Sequence, residues 1–163
     1  PTFLPKDHPL ASVNGVMNAV FVESIGIGES MFYGPGAGQK PTAASVTADI
    51  IRIVRRLKDK TIGKDFNEYA RPLQLATAED VKSDYYFSIL TPDVQGKMLR
   101  LAEIFNDQAI SFKQILQRPT DEKEARLVIV THSMSKTQLK NVTKQLEEAK
   151  EFQVSNIFKV LGD

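Results

Sequence analysis

The sequence has no cysteine among its 163 residues. A chain without cysteine cannot form a disulfide, a thiolate nucleophile or a thiolate metal site, and a protein that needs no disulfide suits the cytoplasm. The sequence also lacks any run of about 18 apolar residues, and its first residues lack the basic start and apolar centre of a secretory signal. We therefore expect a soluble, cytoplasmic protein with no membrane span.

The sequence also lacks an excess of basic or of acidic residues. The chain has 21 basic and 20 acidic residues, a formal charge of +1, and no long basic block that would bind a phosphate backbone. Nucleic-acid binding is therefore not expected. An apolar fraction of 42% and a charged fraction of 25% are ordinary for a globular protein. Because the chain starts at Pro1 and reads there as the middle of a structured segment, we expect a fragment.

The first third of the chain predicts two strands and a helix. Apolar and polar residues alternate over residues 13–32, a pattern typical of a hairpin. The glycine-rich segment GPGAG follows at residues 34–38, and apolar residues then recur with helical spacing from Val46 to Leu57. We predict that Thr42 is the N-cap of this helix and that the helix ends near Leu57, where basic side chains complement the helix dipole. Residues 61–81 show no sustained period and are predicted to connect two regions.

Residues 82–163 predict the order strand, helix, strand, strand, helix, strand. Large apolar side chains alternate over residues 85–89 in the first strand, and a turn at residues 92–96 precedes the first helix. Ser135 and Gln138 fit a capping box at the start of the second helix. This order describes two helices on one face of a four-stranded antiparallel sheet. The predicted fold class is therefore α+β.

Two parts of the sequence resemble known families. The order of elements in residues 82–163, with the run ARLVIVTHS at residues 125–133, resembles an ACT domain, a ferredoxin-like βαββαβ module that binds small molecules, usually amino acids. LPKDHPLASVNGVMNAVFVES at residues 4–24 and MFYGPGAGQKPTAASVTADI at residues 31–50 resemble the end of the catalytic region of the homoserine dehydrogenases. Together the resemblance covers nearly the whole chain.

The resemblance implies three segments: residues 1–60 as the tail of the catalytic and dimerisation region, residues 61–81 as a linker, and residues 82–163 as the ACT regulatory domain. It implies an oxidoreductase that interconverts homoserine and aspartate semialdehyde with NAD(P), in threonine and methionine biosynthesis, as a dimer or larger homo-oligomer. The G-x-G-x-x-G fingerprint of a dinucleotide-binding domain is missing, and no lysine here matches the family's catalytic lysine. We therefore assign no catalytic residue and expect the chain alone to be inactive. The alternative is a stand-alone amino-acid-binding or dimerisation module without enzymatic activity.

The first candidate site is the glycine-rich segment, with Gly34, Gly36, Ala37, Gly38 and Thr42 as predicted cofactor-binding residues. Glycine lets the backbone adopt positive φ and approach a ligand closely, with N–H groups directed into the gap. The alternative is a tight corner between strand and helix. Resemblance to the homoserine dehydrogenases implies that this segment lies against the nicotinamide end of NAD(P) in the whole enzyme. Without the Rossmann domain, we expect it to bind no cofactor.

The second candidate site is the turn before the helix predicted at residues 97–107. Unpaired N–H groups and the positive end of the helix dipole suit a carboxylate, while Asp93 can pair with an ammonium group, so one amino acid would satisfy both. The alternative is that Asp93 only caps the helix. Resemblance to ACT domains adds the second strand, around Ile110 to Ile115, and resemblance to the homoserine dehydrogenases favours threonine, the end product of their pathway, as the effector. The predicted effector-binding residues are Asp93, Gly96, Lys97, Met98 and Ile110.

Two further patterns receive structural interpretations. His8 and His132 are the only histidines, and neither has a partner at metal-ligand spacing, so we assign no metal site. Aromatic residues in the C-terminal region could stack nucleic-acid bases on a sheet or fill the core of a two-layer fold. The lack of a basic groove favours the core. These aromatic residues are Tyr85, Tyr86, Phe87, Phe105 and Phe112.

Overall fold

The protein, here described by a computed structural model, divides into two compact units. Residues 6–73 form the N-terminal unit, and residues 1–5 together with residues 74–163 form the C-terminal unit. Strands and helices occur together, so the predicted α+β class is confirmed. Part of the predicted linker 61–81, at residues 64–73, lies outside the described residues. The described residues are 1–63, 74–120 and 123–161.

The N-terminal unit contains a hairpin and one long helix. β2 (Met17–Ser24) and β3 (Gly28–Pro35) pair as an antiparallel two-stranded sheet, as their alternation predicted, and a 3-10 turn at Pro9–Ser12 precedes them. α1 (Gln39–Lys58) follows β3 and ends one residue beyond Leu57, close to the predicted end. Within the described ranges, neither this helix nor any other combines the length and apolar character needed to cross a membrane.

The predicted start of α1 is wrong. α1 begins at Gln39 with Gly38 as its N-cap, so Thr42 lies inside the first turn. The Thr42 N–H donates to the Gly38 carbonyl oxygen at 3.1 Å, which is an ordinary intrahelical bond. Proline is tolerated in a first turn because the N–H that it lacks would have no partner there. Pro41 is therefore compatible with a helix that begins before it.

The C-terminal unit is a sheet with two helices packed on one face. The elements of this unit, in chain order, are β1 (Thr2–Phe3), β4 (Lys82–Pro92), α2 (Lys97–Asn106), β5 (Phe112–Pro119), β6 (Glu124–Thr131), β7 (Met134–Ser135), α3 (Lys136–Glu148) and β8 (Gln153–Val160). Strands lie in the order β1-β8-β4-β6-β5, with β4 antiparallel to both β6 and β8, and the short β7 pairs with the start of β4. β1 joins β8 in parallel.

The first five residues belong to the C-terminal unit, where β1 extends the sheet beside β8. Phe3 of β1 meets Tyr86 and Phe158 edge to face, with ring centroids 5.1 and 5.2 Å apart. Tyr86, which the sequence assigned to the core, therefore lies in a small aromatic cluster on the sheet face away from the helices. The even-numbered position of Tyr86 in β4 explains this, because side chains alternate between the two faces of a strand.

The core lies between the sheet and the two helices. Tyr85, Phe87 and Ile89 alternate along β4 and are almost fully buried, as predicted. They pack with apolar side chains of α2, α3 and β6, and the rings of Phe87 and Phe105 meet edge to face with centroids 5.2 Å apart. Burial raises the pKa of the Tyr85 phenol above its ordinary value, so this group stays neutral at neutral pH.

The boundaries of α3 and α2 follow local hydrogen bonds. The capping box predicted for α3 is confirmed, because the Ser135 Oγ accepts from the Gln138 N–H at 3.2 Å and the Ser135 N–H donates to the Gln138 Oε1 at 2.9 Å. After α2, Ala109 adopts a φ of 54° and the Ile110 N–H donates to the Phe105 carbonyl oxygen at 3.0 Å. Ile110 therefore lies in the turn that follows α2 and not in a strand. The predicted second strand, β5, begins two residues later.

Candidate ligand sites

The glycine-rich segment forms the corner between β3 and α1. The Gly36 N–H donates to the Val16 carbonyl oxygen at 2.8 Å, and a Cβ added at Gly36 would lie 1.9 Å from the Asn18 Nδ2. Gly38 has a φ of 130°, a conformation that side chains disfavour. These two glycines are thus required by close packing and backbone geometry within the corner itself, as the structural alternative proposed.

The start of α1 offers backbone donors. Gly38 supplies no side-chain cap, and the first turn contains no acidic residue. Unpaired N–H groups and the positive end of a helix dipole attract anionic or electron-rich groups. Of the predicted cofactor-binding residues, the structure brings Gly36, Ala37 and Gly38 to this corner and places Thr42 one turn inside the helix. Gly34 lies within β3.

A pocket of about 270 Å³ lies at the start of α2 in the C-terminal unit. Asp93, Gly96, Lys97 and Met98, four of the predicted effector-binding residues, line it. Ile110 does not, because it is 7% exposed and packs in the core. Thr91 of β4, Gln117 of β5 and Leu127 of β6 also line the pocket, and the sequence analysis did not predict them.

Asp93 does not cap α2. The N-cap is Gly96, in the left-handed conformation with a φ of 90°, and no side chain caps this end among the described residues. The Asp93 Oδ1 instead accepts from the Gln117 Nε2 at 2.9 Å, across the pocket mouth from β5. The first-turn N–H groups of α2 and the positive end of its dipole therefore lie at the pocket wall with no side-chain oxygen already bound to them.

Thr91 adds a buried hydroxyl to the same pocket. It is 4% exposed, and its Oγ1 has no hydrogen-bond partner within the part of the chain that the structure describes. Thr131, also buried, accepts from the Tyr85 N–H at 3.2 Å. A buried hydroxyl left unpaired costs about 1–3 kcal/mol. The sequence signal for Thr91 was a polar residue that continues the inward-facing series of Tyr85, Phe87 and Ile89.

The side chain of Lys97 is engaged elsewhere. Its Nζ forms an ion pair with the Glu151 carboxylate, and each side chain is 27% exposed. This pair joins the first residue of α2 to the segment before β8. Lys97 therefore contributes its backbone, rather than its ammonium group, to the pocket wall.

Neither histidine indicates a metal centre. The His8 Nδ1 accepts from the Leu10 N–H at 3.1 Å, so His8 caps the 3-10 turn, and its ring packs on Phe21 with centroids 4.8 Å apart. Among residues 1–63, 74–120 and 123–161, no three histidine or carboxylate side chains converge as a metal site would require.

Comparison with known proteins identifies relatives for the whole chain. Residues 1–51 match the family model described as homoserine dehydrogenase. The chain is 60% identical over 163 residues to the homoserine dehydrogenase of Lactococcus lactis and 32% identical over 166 residues to that of Bacillus subtilis. Each match covers 100% of this chain and 38% of the relative. The chain thus spans about two fifths of the length of these relatives, and it matches their C-terminal part.

Solved structures agree in fold. A homoserine dehydrogenase from Thiobacillus denitrificans superposes with a TM-score of 0.75 at 24% identity, covering 99% of this chain and 38% of that chain. An S. aureus homoserine dehydrogenase at pH 6.0 gives a TM-score of 0.55 at 21% identity, covering 100% of this chain and 37% of that one. These likenesses establish the fold alone, whereas the sequence identities establish kinship. Over its whole length the chain is therefore similar to the C-terminal part of the homoserine dehydrogenases.

Proposed function

We propose that the chain is the C-terminal part of an NAD(P)-dependent homoserine dehydrogenase, which interconverts homoserine and aspartate semialdehyde. The observation that carries this proposal is 60% identity along all 163 residues to the Lactococcus lactis enzyme. The chain has neither a G-x-G-x-x-G fingerprint nor a lysine that matches the family's catalytic lysine. Its role is therefore to support and regulate the reaction rather than to perform hydride transfer alone.

The experiment is an assay of the natural gene product that contains this chain. Its purified form should oxidise NADPH in the presence of aspartate semialdehyde and reduce NADP in the presence of homoserine. The 163-residue chain is the control and should give no turnover above a buffer blank. A natural gene product that is inactive with both NAD and NADP would overturn the proposal.

The corner between β3 and α1 is our proposed contact with the cofactor. Its Gly36 site is filled by Asn18, which leaves no room for a cofactor group at that glycine. The uncapped start of α1 fits better, because the Gln39 and Lys40 N–H groups can bind an electron-rich edge of NAD(P). When bound, the cofactor would supply the hydride chemistry. These residues would only orient it.

The C-terminal unit is our proposed ACT module. Two helices on one face and the strand order β8-β4-β6-β5 support this assignment, because both are features of ferredoxin-like folds. The unit also has its own buried core, which favours the second candidate function, a stand-alone ACT module without enzymatic activity. The intact mass of the natively expressed protein distinguishes the two, since the enzyme requires a much longer polypeptide.

The pocket at α2 is our proposed effector site, and its ligand is a small α-amino acid such as threonine. The carboxylate would accept from the N–H groups of Gly96 and Met98, because the Lys97 N–H already donates to the Val94 carbonyl oxygen at 3.4 Å. The ammonium group would donate to the Asp93 carboxylate. The pocket volume of about 270 Å³ accommodates a compact ligand and excludes a bulky one.

Asp93→Ala is expected to weaken threonine binding about tenfold, because a charge-assisted hydrogen bond contributes about 1.5–3 kcal/mol before solvent screening. Calorimetry on the wild type and the variant measures this change. Asp107→Ala, at the far end of α2, is the matched control and should bind like the wild type. Equal affinity of the wild type and Asp93→Ala would remove Asp93 from the site, and the absence of heat with any amino acid would favour a purely structural module.

A further inference from the structure

A second cavity, of about 400 Å³, lies near the start of β4, at the opposite end of that strand from the pocket at α2. The first residues of β4, the bulge in β5 and the chain just after β6 line it. Neither proposed function uses it. We call it the Lys113 cavity, and the polar residues of its lining are Lys82, Ser83, Asp84, Lys113, His132 and Ser133.

An ion pair between a buried carboxylate and a partly exposed lysine fixes the central charge of this cavity. Asp84 is 9% exposed, and its Oδ2 accepts from the Lys113 Nζ at 2.5 Å. Lys113 reaches it from β5 because the register of β5 against β6 shifts between Phe112 and Gln114. A β-bulge of this kind redirects a side chain. The buried carboxylate thus holds the Lys113 ammonium group in one position at the cavity.

The lining carries more positive than negative charge. Lys82 and Lys113 face a single carboxylate, that of Asp84, which leaves a surplus of one positive charge. The Lys113 side chain is 43% exposed, so its ammonium group pairs with Asp84 and still faces solvent. An ammonium group has three donors. Donors beyond the one that Asp84 uses are available to a ligand, and Ser133 belongs to the same lining.

We propose that the Lys113 cavity binds a small oxyanion, a carboxylate or phosphate group. Lys113 is the principal contact, with its ammonium group held by Asp84, and Lys82 adds a second positive charge. Ser133 completes the site as a hydrogen-bond donor. A pair that only stabilised the sheet would need no open volume beside the ammonium group, whereas this one borders a cavity large enough for a small ligand.

A titration of the 163-residue chain, followed by amide NMR shifts, tests the proposal. Sodium phosphate and sodium acetate are added separately, with sodium chloride adjusted to keep the ionic strength constant. We expect saturable shifts at the Ser83, Lys113 and Ser133 amides with at least one of the two oxyanions. Shifts that chloride alone reproduces would overturn the proposal, because they would report general screening. Shifts confined to Gly96 through Met98 would also overturn it, because they would place the anion at α2.

Charge-neutral variants identify the contact. Lys113→Gln is made together with Asp84→Asn, so that no unpaired charge remains buried. This double variant should weaken oxyanion binding about threefold to fivefold, the range for a partly exposed ion pair. Lys82→Gln should have a smaller effect, because the Lys82 charge also acts on the exposed carboxylate of Asp80. Lys140→Gln, an exposed lysine of α3, is the matched control and should bind like the wild type. Unchanged affinity in a folded double variant would overturn the proposal.

Discussion

The two units differ in what their apolar residues contact. In the C-terminal unit, Phe87, Leu101 and Leu146 have no exposed surface. In the N-terminal unit, α1 buries none of its residues, and Ile50 and Leu57 are 56% and 59% exposed. Among the described residues, every buried apolar side chain lies in the C-terminal unit. The helix and hairpin thus lack a core of their own, and we propose that a partner covers their exposed apolar side chains.

The sharpest way to break this comparison is to separate the units. Residues 74–163 should fold alone with dispersed amide NMR signals, because the core cluster lies entirely within them. Residues 6–73 should not fold, since a lone hairpin and an uncovered helix are marginal in water. As a further control, residues 1–5 are added to the C-terminal fragment as a free peptide, which supplies the residues of β1. A cooperatively folded N-terminal fragment would contradict the comparison.

A single substitution in each unit should give the next largest difference. Phe87→Ala removes a fully buried ring in contact with Phe105 and should lower the free energy of unfolding by about 3–5 kcal/mol. Ile51→Ala on α1, outside the row of Val46, Ile50 and Val54, is the matched control. Ile51 is 47% exposed, so its truncation should change the free energy by less than about 0.5 kcal/mol. Urea unfolding followed by circular dichroism measures both. Similar losses would show that α1 contributes to a core.

The uncovered face of α1 should also drive self-association of the chain. Val46, Ile50 and Val54 lie on one side of the helix, and Ala48 lies on the opposite side, by the 100° turn per residue. Ile50→Glu with Val54→Glu should shift the chain from dimer or larger species toward monomer. Ala48→Glu introduces the same kind of charge on the opposite side and should leave association unchanged. Sedimentation velocity at micromolar concentration measures the association state of the wild type and of each variant. A wild-type monomer would refute this prediction.

Local sequence patterns were sufficient to predict an element where one hydrogen bond or one alternation of side chains determines it. The Ser135 capping box and the alternation of Tyr85, Phe87 and Ile89 were both found from sequence. The start of α1 and the position of Ile110 were not predicted correctly. Each depends on contacts between a helix end and the residues around it. Sequence placed the glycine corner and the α2 turn, but only the structure brings Thr91 to the pocket, since that requires strand register.

The smallest expected effect is confined to the surface turn before β4, which has local hydrogen bonds instead of a core. The Thr77 Oγ1 and N–H donate to the Asp80 Oδ2 at 2.6 and 2.8 Å, and these bonds, the side-chain bond first, lower the pKa of Asp80. Thr77→Val keeps the shape of the side chain and removes the side-chain hydrogen bond, which lowers the pKa of Asp80 the most. The pKa of Asp80 should therefore rise. Lys82→Gln removes a weaker contribution and should raise it less.

The sign of the accompanying stability change follows from the direction of this pKa shift. A carboxylate whose folded pKa is depressed adds stability above its unfolded pKa and loses it as the pH falls through the folded pKa. Thr77→Val should therefore destabilise the C-terminal unit slightly at neutral pH, and the difference from the wild type should vanish in acid. Carbon-13 NMR of the Asp80 carboxyl measures the pKa, and urea unfolding at several pH values measures the stability. An Asp80 pKa that does not change in Thr77→Val would mean that the turn is held by the backbone bond alone.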